Sequence, residues 1–164
     1  VDALAKEGGR AATLRGYRRV WAVAMDNKVD LPGYKYYVDS ETGERPGVYV
    51  AFVDLEPDET SDVEGVVFPV DGASVGALDT RERNYARADV TDRIDPPAGG
   101  DVHAYFGTSE ARRRFERGRT SDTAVVSRAY LKAVGASTGD TPLPIRDLRR
   151  IDLPPQLAER PPRP

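Results

Sequence analysis

The sequence predicts an α+β domain built on a small curved or closed sheet. Three observations lead there. Apolar and β-branched residues fill 13–25, 48–55 and 63–70, and they alternate with polar ones through 85–94 and 101–107, as strands do. The period shifts to a short helical spacing at 72–82, and two more helical stretches follow at 109–118 and 121–135. Strands in hairpins with helices inserted between them give α+β.

Each element has its own reason. TLRGYRRVWAVAM (13–25) turns apolar after Arg19 and reads as a strand. YKYYVDSETGERPG (34–47) carries Gly and Pro and reads as a strand end with a loop. VYVAFVDL (48–55) is a strand by its β-branched and aromatic content. EPDETSD (56–62) reads as an acidic turn, and VEGVVFPV (63–70) as a second strand antiparallel to the first. Pro69 belongs at its end or at a bulge, because proline donates nothing to a ladder.

Ser74 is placed to cap a short helix over 72–82, with Val75 and Leu78 three apart on its apolar face. YARADVTDRI, DPPAGG and DVHAYFG then read as a hairpin across 85–107. SEARRRFERG (109–118) predicts a helix ending at Gly118, with Ala111 and Phe115 inward and its arginines solvated. In 121–135, Val126, Tyr130 and Val134 share one helical face and Gly135 closes it. PPQLAERPPRP (154–164) predicts an extended or disordered tail, so one domain is expected over 1–150 with a Pro-rich tail at 151–164.

The chain has 164 residues, enough for a core without staples. It has no cysteine, which excludes disulfides, thiolate zinc sites and a cysteine nucleophile. Its single histidine, His103, excludes clustered histidine metal sites and reads as a core or barrel-wall residue. The net charge of −3 argues against a general nucleic-acid binder, and the arginine run at 111–119 has no stacking aromatics interleaved. No apolar run approaches the ~18 residues of a membrane span. The first ten residues hold no apolar signal core, so a cytoplasmic protein without membrane contact is expected. Arginine far outnumbers lysine, as GC-rich coding would give.

One acid stands out by position. In LDTRERNYARADVT (78–91), Glu82 sits between Arg81 and Arg83 where a helix gives way to a strand. A guanidinium turned toward it would weaken it as a base, whereas arginines turned outward would leave it facing inward.

The segment VEGVVFPVDGASVGALDTRERNYARADV (63–90) resembles the γ-glutamylcyclotransferase-like family, which includes the AIG2-like proteins. The resemblance rests on Gly65-Val66-Val67-Phe68, on Leu78-Asp79-Thr80-Arg81-Glu82, and on Tyr85 leading into a strand. ATLRGYRRVWAV (12–23) and VSRAYLKAVGAS (126–137) extend it, so that it covers roughly residues 11–137. The family's N-terminal Y-G-S loop, whose backbone N–H groups hold the glutamyl moiety, is not found in this sequence.

The resemblance implies a small mixed β-barrel with surrounding helices. It implies an acyltransferase-type reaction that releases an amine from a γ-glutamyl amine or amino acid by cyclisation to 5-oxoproline. It implies Glu82 as the general acid/base and Tyr130 as a substrate contact, with Asn27 a candidate for the pocket wall. The chemistry calls for no metal and no cofactor, and the expected partner is a small-molecule γ-glutamyl substrate in a bacterial enzyme. A sheet edge left open in place of the Y-G-S strand would be covered by a second copy of the chain, as a homodimer. The alternative is a non-catalytic binding module that retains barrel and pocket.

Overall fold

The structure, a computed structural model, describes residues 8–30, 36–38, 42–127 and 130–134, together with the backbone of 149–151 and 155–156. Its backbone is one long antiparallel pair, β1 (Arg10–Asp26) against β3 (Tyr49–Val67). β2 (Tyr36–Tyr37) lies between them in sequence. After β3 come helix α1 (Gly72–Arg81), β4 (Tyr85–Asp89), a 3₁₀ turn (Thr91–Arg93) and β5 (Ile94–Asp95). The order continues with β6 (His103–Gly107), α2 (Ser109–Thr120), β7 (Ala124–Ser127) and a helical segment α3 (130–134). β8 (Arg149–Ile151) and β9 (Pro155–Gln156) follow. The main sheet has the order β5-β1-β3-β7-β8, while β2 pairs with β9 and β4 with β6 in separate two-stranded sheets. The expected α+β class stands.

The acidic segment 56–62 is not a turn. β3 runs through it as one strand, and its partner is β1 rather than its own second half. Four residues, Asp58 to Ser61, stand opposite the single Gly16 in a wide bulge. Asp58 holds the bulge, its carboxylate accepting from Thr60 N–H at 3.0 Å, Thr60 O–H at 2.7 Å and Ser61 O–H at 3.0 Å. Those bonds fold the extra residues outward, so the strand rejoins β1 in its original direction. Gly16 takes φ +76°, which glycine adopts at no steric cost, and a Cβ there would lie 2.5 Å from the Arg93 guanidinium.

The segment 121–135 also differs from expectation. Ala124–Ser127 is a strand, buried along its length and parallel to β3 through Tyr49↔Ala124 and Val50↔Val125. A short apolar run buried on both faces suits a parallel strand as well as a helix. Helix is described only for 130–134, and Gly135 lies outside the described residues.

Cap positions shift as well. Asp71, not Ser74, caps α1, accepting from Ser74 N–H at 2.7 Å. Thr108 caps α2, and that helix runs past Gly118 to Thr120. Gly118 is a packing glycine, for a Cβ would lie 2.7 Å from Tyr49 Cβ. Of the predicted tail, Pro155–Gln156 pairs with β2, while 152–154 and 157–164 lie outside the described residues.

The described strands do not close into a barrel. Past Val50, the edge of β3 away from β1 is taken by side chains. Val53 N–H donates to Tyr130 Oη at 3.2 Å, and Val53 C=O accepts from Tyr85 O–H at 2.6 Å. At Leu55 the N–H donates to Asp54 Oδ1 at 2.8 Å, and the carbonyl accepts from Arg112 at 3.4 Å. Strand groups satisfied in this way need no further ladder.

The core lies along the same pair. Trp21, Ala24 and Ala51 pack with Phe115 and Val126, while Met25, Val50 and Phe52 pack with Tyr37 and Val125. A third cluster, Leu14, Val63, Val90 and Val102, sits under the β4–β6 hairpin. The α2 arginines are not all solvated as expected. Arg112 Nε donates to the buried Asp54 at 2.8 Å, and Arg114 Nε reaches the Ala24 carbonyl at 2.8 Å. No described helix is long and apolar enough to cross a membrane.

Candidate functional site

A cleft of about 570 Å³ opens between the end of β3, helix α1 and the β4–β6 hairpin. That volume lies in the range of small-molecule sites. Its walls differ in character. Val66 to Val70 line one side, and Val75 and Leu78 of α1 continue the apolar surface. Arg10, Arg81, Glu82, Arg87, His103 and Tyr105 supply the polar wall, and Gly99 and Gly100 bring bare backbone to the rim.

Glu82 reaches this cleft because of where α1 ends. It is the C-cap, with φ −84° and ψ 51°, and its N–H still closes on Leu78 C=O at 2.9 Å. Val75, Leu78 and Glu82 are spaced three and four apart, which sets them on one face of the last turns. The next turn is pinned from below. Glu82 C=O accepts from Tyr85 N–H at 2.9 Å, and Tyr85 O–H in turn reaches Val53. Buried Asn84 accepts from Arg114 Nη2 at 2.8 Å through its Oδ1 and from Thr108 N–H at 3.0 Å through its carbonyl. The carboxylate is thus carried on a turn fixed to β1, β3 and α2.

The flanking arginines differ in their partners. Arg81 Nε and Nη2 lie 3.1 Å from Glu82 Oε1, and the Glu82 side chain keeps 26% of its surface exposed. Arg83 turns back to the Thr80 carbonyl at 3.1 Å. Arg81 is therefore the guanidinium turned toward Glu82, while its own side chain keeps 51% of its surface exposed.

Asp79 organises the polar wall. It accepts from Tyr105 O–H at 2.7 Å and from Arg87 at 3.0 Å and 3.3 Å, tying α1 to the hairpin. These bonds, the Tyr105 one foremost, hold the Asp79 carboxyl below its ordinary range. Burial, and then the hydrogen bond to Asp79, push Tyr105 up to about 12.

Tyr130 lies on the core side and not among the cleft-lining residues. Its ring meets Phe52 at 5.1 Å and Trp21 at 6.0 Å, both edge-on. Its pKa is raised first by burial and further by the charge of Glu82, with the Val53 bond opposing. Tyr130 thus feels the charge of Glu82 but does not line the cleft that Glu82 faces.

Asn27 is elsewhere. Fully buried, it donates to the Tyr37 and Pro46 carbonyls at 2.9 Å and 3.0 Å and accepts from Tyr37 N–H at 2.8 Å. It staples two loop segments and lines no part of the cleft.

His103, expected in a core or barrel wall, is exposed at the cleft and pairs in register with Asp89. Sequence reasoning missed Asp79, Arg87 and Tyr105 as a unit. The one signal was the strand alternation that sets Arg87 opposite Tyr105. Comparison with known proteins finds no matching family model, no matching curated protein and no matching solved structure.

Proposed function

We propose that the protein is a γ-glutamylcyclotransferase-like enzyme that releases an amine from a γ-glutamyl amine or amino acid as 5-oxoproline forms. The observation that carries this reading is Glu82, a partly exposed carboxylate on a pinned turn at the wall of a substrate-sized cleft. The sequence resemblance over 11–137 supplies the reaction class. The finer fold, a γ-glutamylcyclotransferase-like barrel, belongs to the same proposal.

The reaction needs little beyond position and one proton carrier. The substrate's α-amino nitrogen attacks its own γ-carbonyl carbon. A new C–N bond closes the five-membered ring, and the bond to the leaving amine breaks. Glu82 first takes a proton from the α-ammonium, giving the amine that attacks; as the ring closes that nitrogen loses a second proton, and both end on the leaving amine, which departs as its ammonium, so no proton is gained or lost overall. Arg81 and Glu82, 3.1 Å apart, present a positive and a negative group side by side. The α-carbon of a glutamyl head carries the matching pair, with carboxylate for Arg81 and ammonium for Glu82. Holding the head there sets the nitrogen for ring closure. Gly99 and Gly100 line the cleft, and the developing oxyanion is assigned to their backbone.

The test is 5-oxoproline release from a panel of γ-glutamyl amines and dipeptides, with wild type beside Glu82→Gln. Release by wild type and its loss in a folded Glu82→Gln protein supports the enzyme. A second reading, a non-catalytic binding module, is favoured by the Arg81–Glu82 ion pair. Saturable binding of the same compounds without release would select it.

A further inference from the structure

The cleft has one feature that a purely polar substrate would leave unused. Val66 is 55% exposed and Val70 39% exposed, and both stand on the wall formed by the end of β3. Phe68 and Pro69 lie between them, and Val75 and Leu78 meet them from α1. An apolar surface this continuous on a cavity wall marks where a ligand loses water. The position of Glu82 gives the wall its meaning. Leu78 and Val75 precede Glu82 by four and seven residues, on the same helical face, so the carboxylate and the apolar strip share one wall. The neighbouring cationic groups have partners of their own: Arg10, opposite Val67 in the ladder, reaches the Pro97 carbonyl at 3.1 Å, and Arg87 is held by Asp79.

We infer that the leaving amine carries an apolar, aliphatic group that packs on Val66, Phe68, Val70, Val75 and Leu78. The inference rests on the proposed γ-glutamyl reading and names its substrate class. Charge complementarity fixes the direction of the ligand. The zwitterionic glutamyl head goes to Arg81 and Glu82, and the uncharged amine substituent extends onto the strip. An amino-acid leaving group would instead bring its own carboxylate onto the side chains of Val66, Phe68, Val70, Val75 and Leu78, none of which can pair with it.

The experiment compares γ-glutamyl-isobutylamide with γ-glutamylglycine. Binding is measured by titration calorimetry on the full chain bearing Glu82→Gln, whose amide oxygen can still accept from the ammonium of either ligand but cannot take its proton, and release of 5-oxoproline is measured on wild type. The isobutylamide is expected to bind about tenfold tighter or better, the scale set by a few methylenes in an apolar site. Adding Leu78→Asn or, as a gentler change on the same face, Val75→Thr should bring the ratio of the two affinities toward one. Equal affinities, a preference for γ-glutamylglycine, no binding of either, or a ratio unmoved by both variants would overturn the inference. The two proposals fail separately. Apolar preference in binding with no 5-oxoproline from wild type would sink the cyclisation and leave the ligand class standing. Turnover without preference would do the reverse.

Discussion

The two ends of the β1–β3 pair are built to different ends. At the Asp26–Tyr49 end, β3 is buried from Val50 to Phe52, and β7, α2 and the Asn27 staple cover it. At the Arg10–Val67 end, the same strand is exposed from Glu64 to Val66 and forms the wall of a cleft. The wide bulge opposite Gly16 divides them. At one end the buried Asn27 and Asp54 are bonded internally, and the other leaves apolar and charged groups facing solvent. The first kind of surface holds a fold together; the second is what a ligand site needs.

Substitutions at the closed end should cost stability, and the largest effect is expected at Asp54. It is 2% exposed and holds Arg112, Gly107 N–H and Leu55 N–H. Asp54→Ala strands those donors and should lower unfolding free energy by about 3–5 kcal/mol in urea titration. Asn27→Ala removes the side-chain bonds to both backbone groups of Tyr37 and to the Pro46 carbonyl, and about 2–3 kcal/mol is expected by the same measurement. At the divide, Gly16→Ala sets a Cβ against Arg93 at positive φ, with an expected loss of about 1–2 kcal/mol.

The smallest effect sharpens the open end through pH. Tyr105 is raised in the fold from its ordinary 10.0 to about 12. Its contribution is therefore fully present below pH 10 and lost as pH climbs toward 12. Asp79 is lowered, so its contribution is present at neutral pH and lost on the acid side as its carboxyl protonates. Tyr105→Phe should remove the alkaline dependence and shrink the acid one, read from thermal unfolding across the pH range.

Much of the open end was legible in the sequence because its geometry is local. The spacing of Val75, Leu78 and Glu82, followed by Tyr85 at a strand start, is set within a few turns of chain. What was not legible depends on distant partners. Asp79 meets Tyr105 across 26 residues, and Arg114 meets Asn84 across 30 and Ala24 across 90. No periodicity encodes those meetings. The strand at Ala124–Ser127 fits a helix equally well in sequence, because a run of three apolar residues suits either element until a parallel neighbour is known. The position of Asn27 after the first strand suggests a pocket wall, while its three side-chain bonds depend on β2 and on Pro46, 10 and 19 residues away.

The most direct test pairs two readings on a single variant, Glu82→Gln: 5-oxoproline release from γ-glutamyl amines, and unfolding free energy. Release is expected to fall by about 10²–10⁴-fold, the usual worth of a positioned proton carrier. Stability is expected to stay within about 0.5 kcal/mol of wild type, as at other sites outside the core. Undiminished release in the variant, or a loss of stability like that at Asp54, would contradict the assignment of Glu82 to chemistry rather than to the fold.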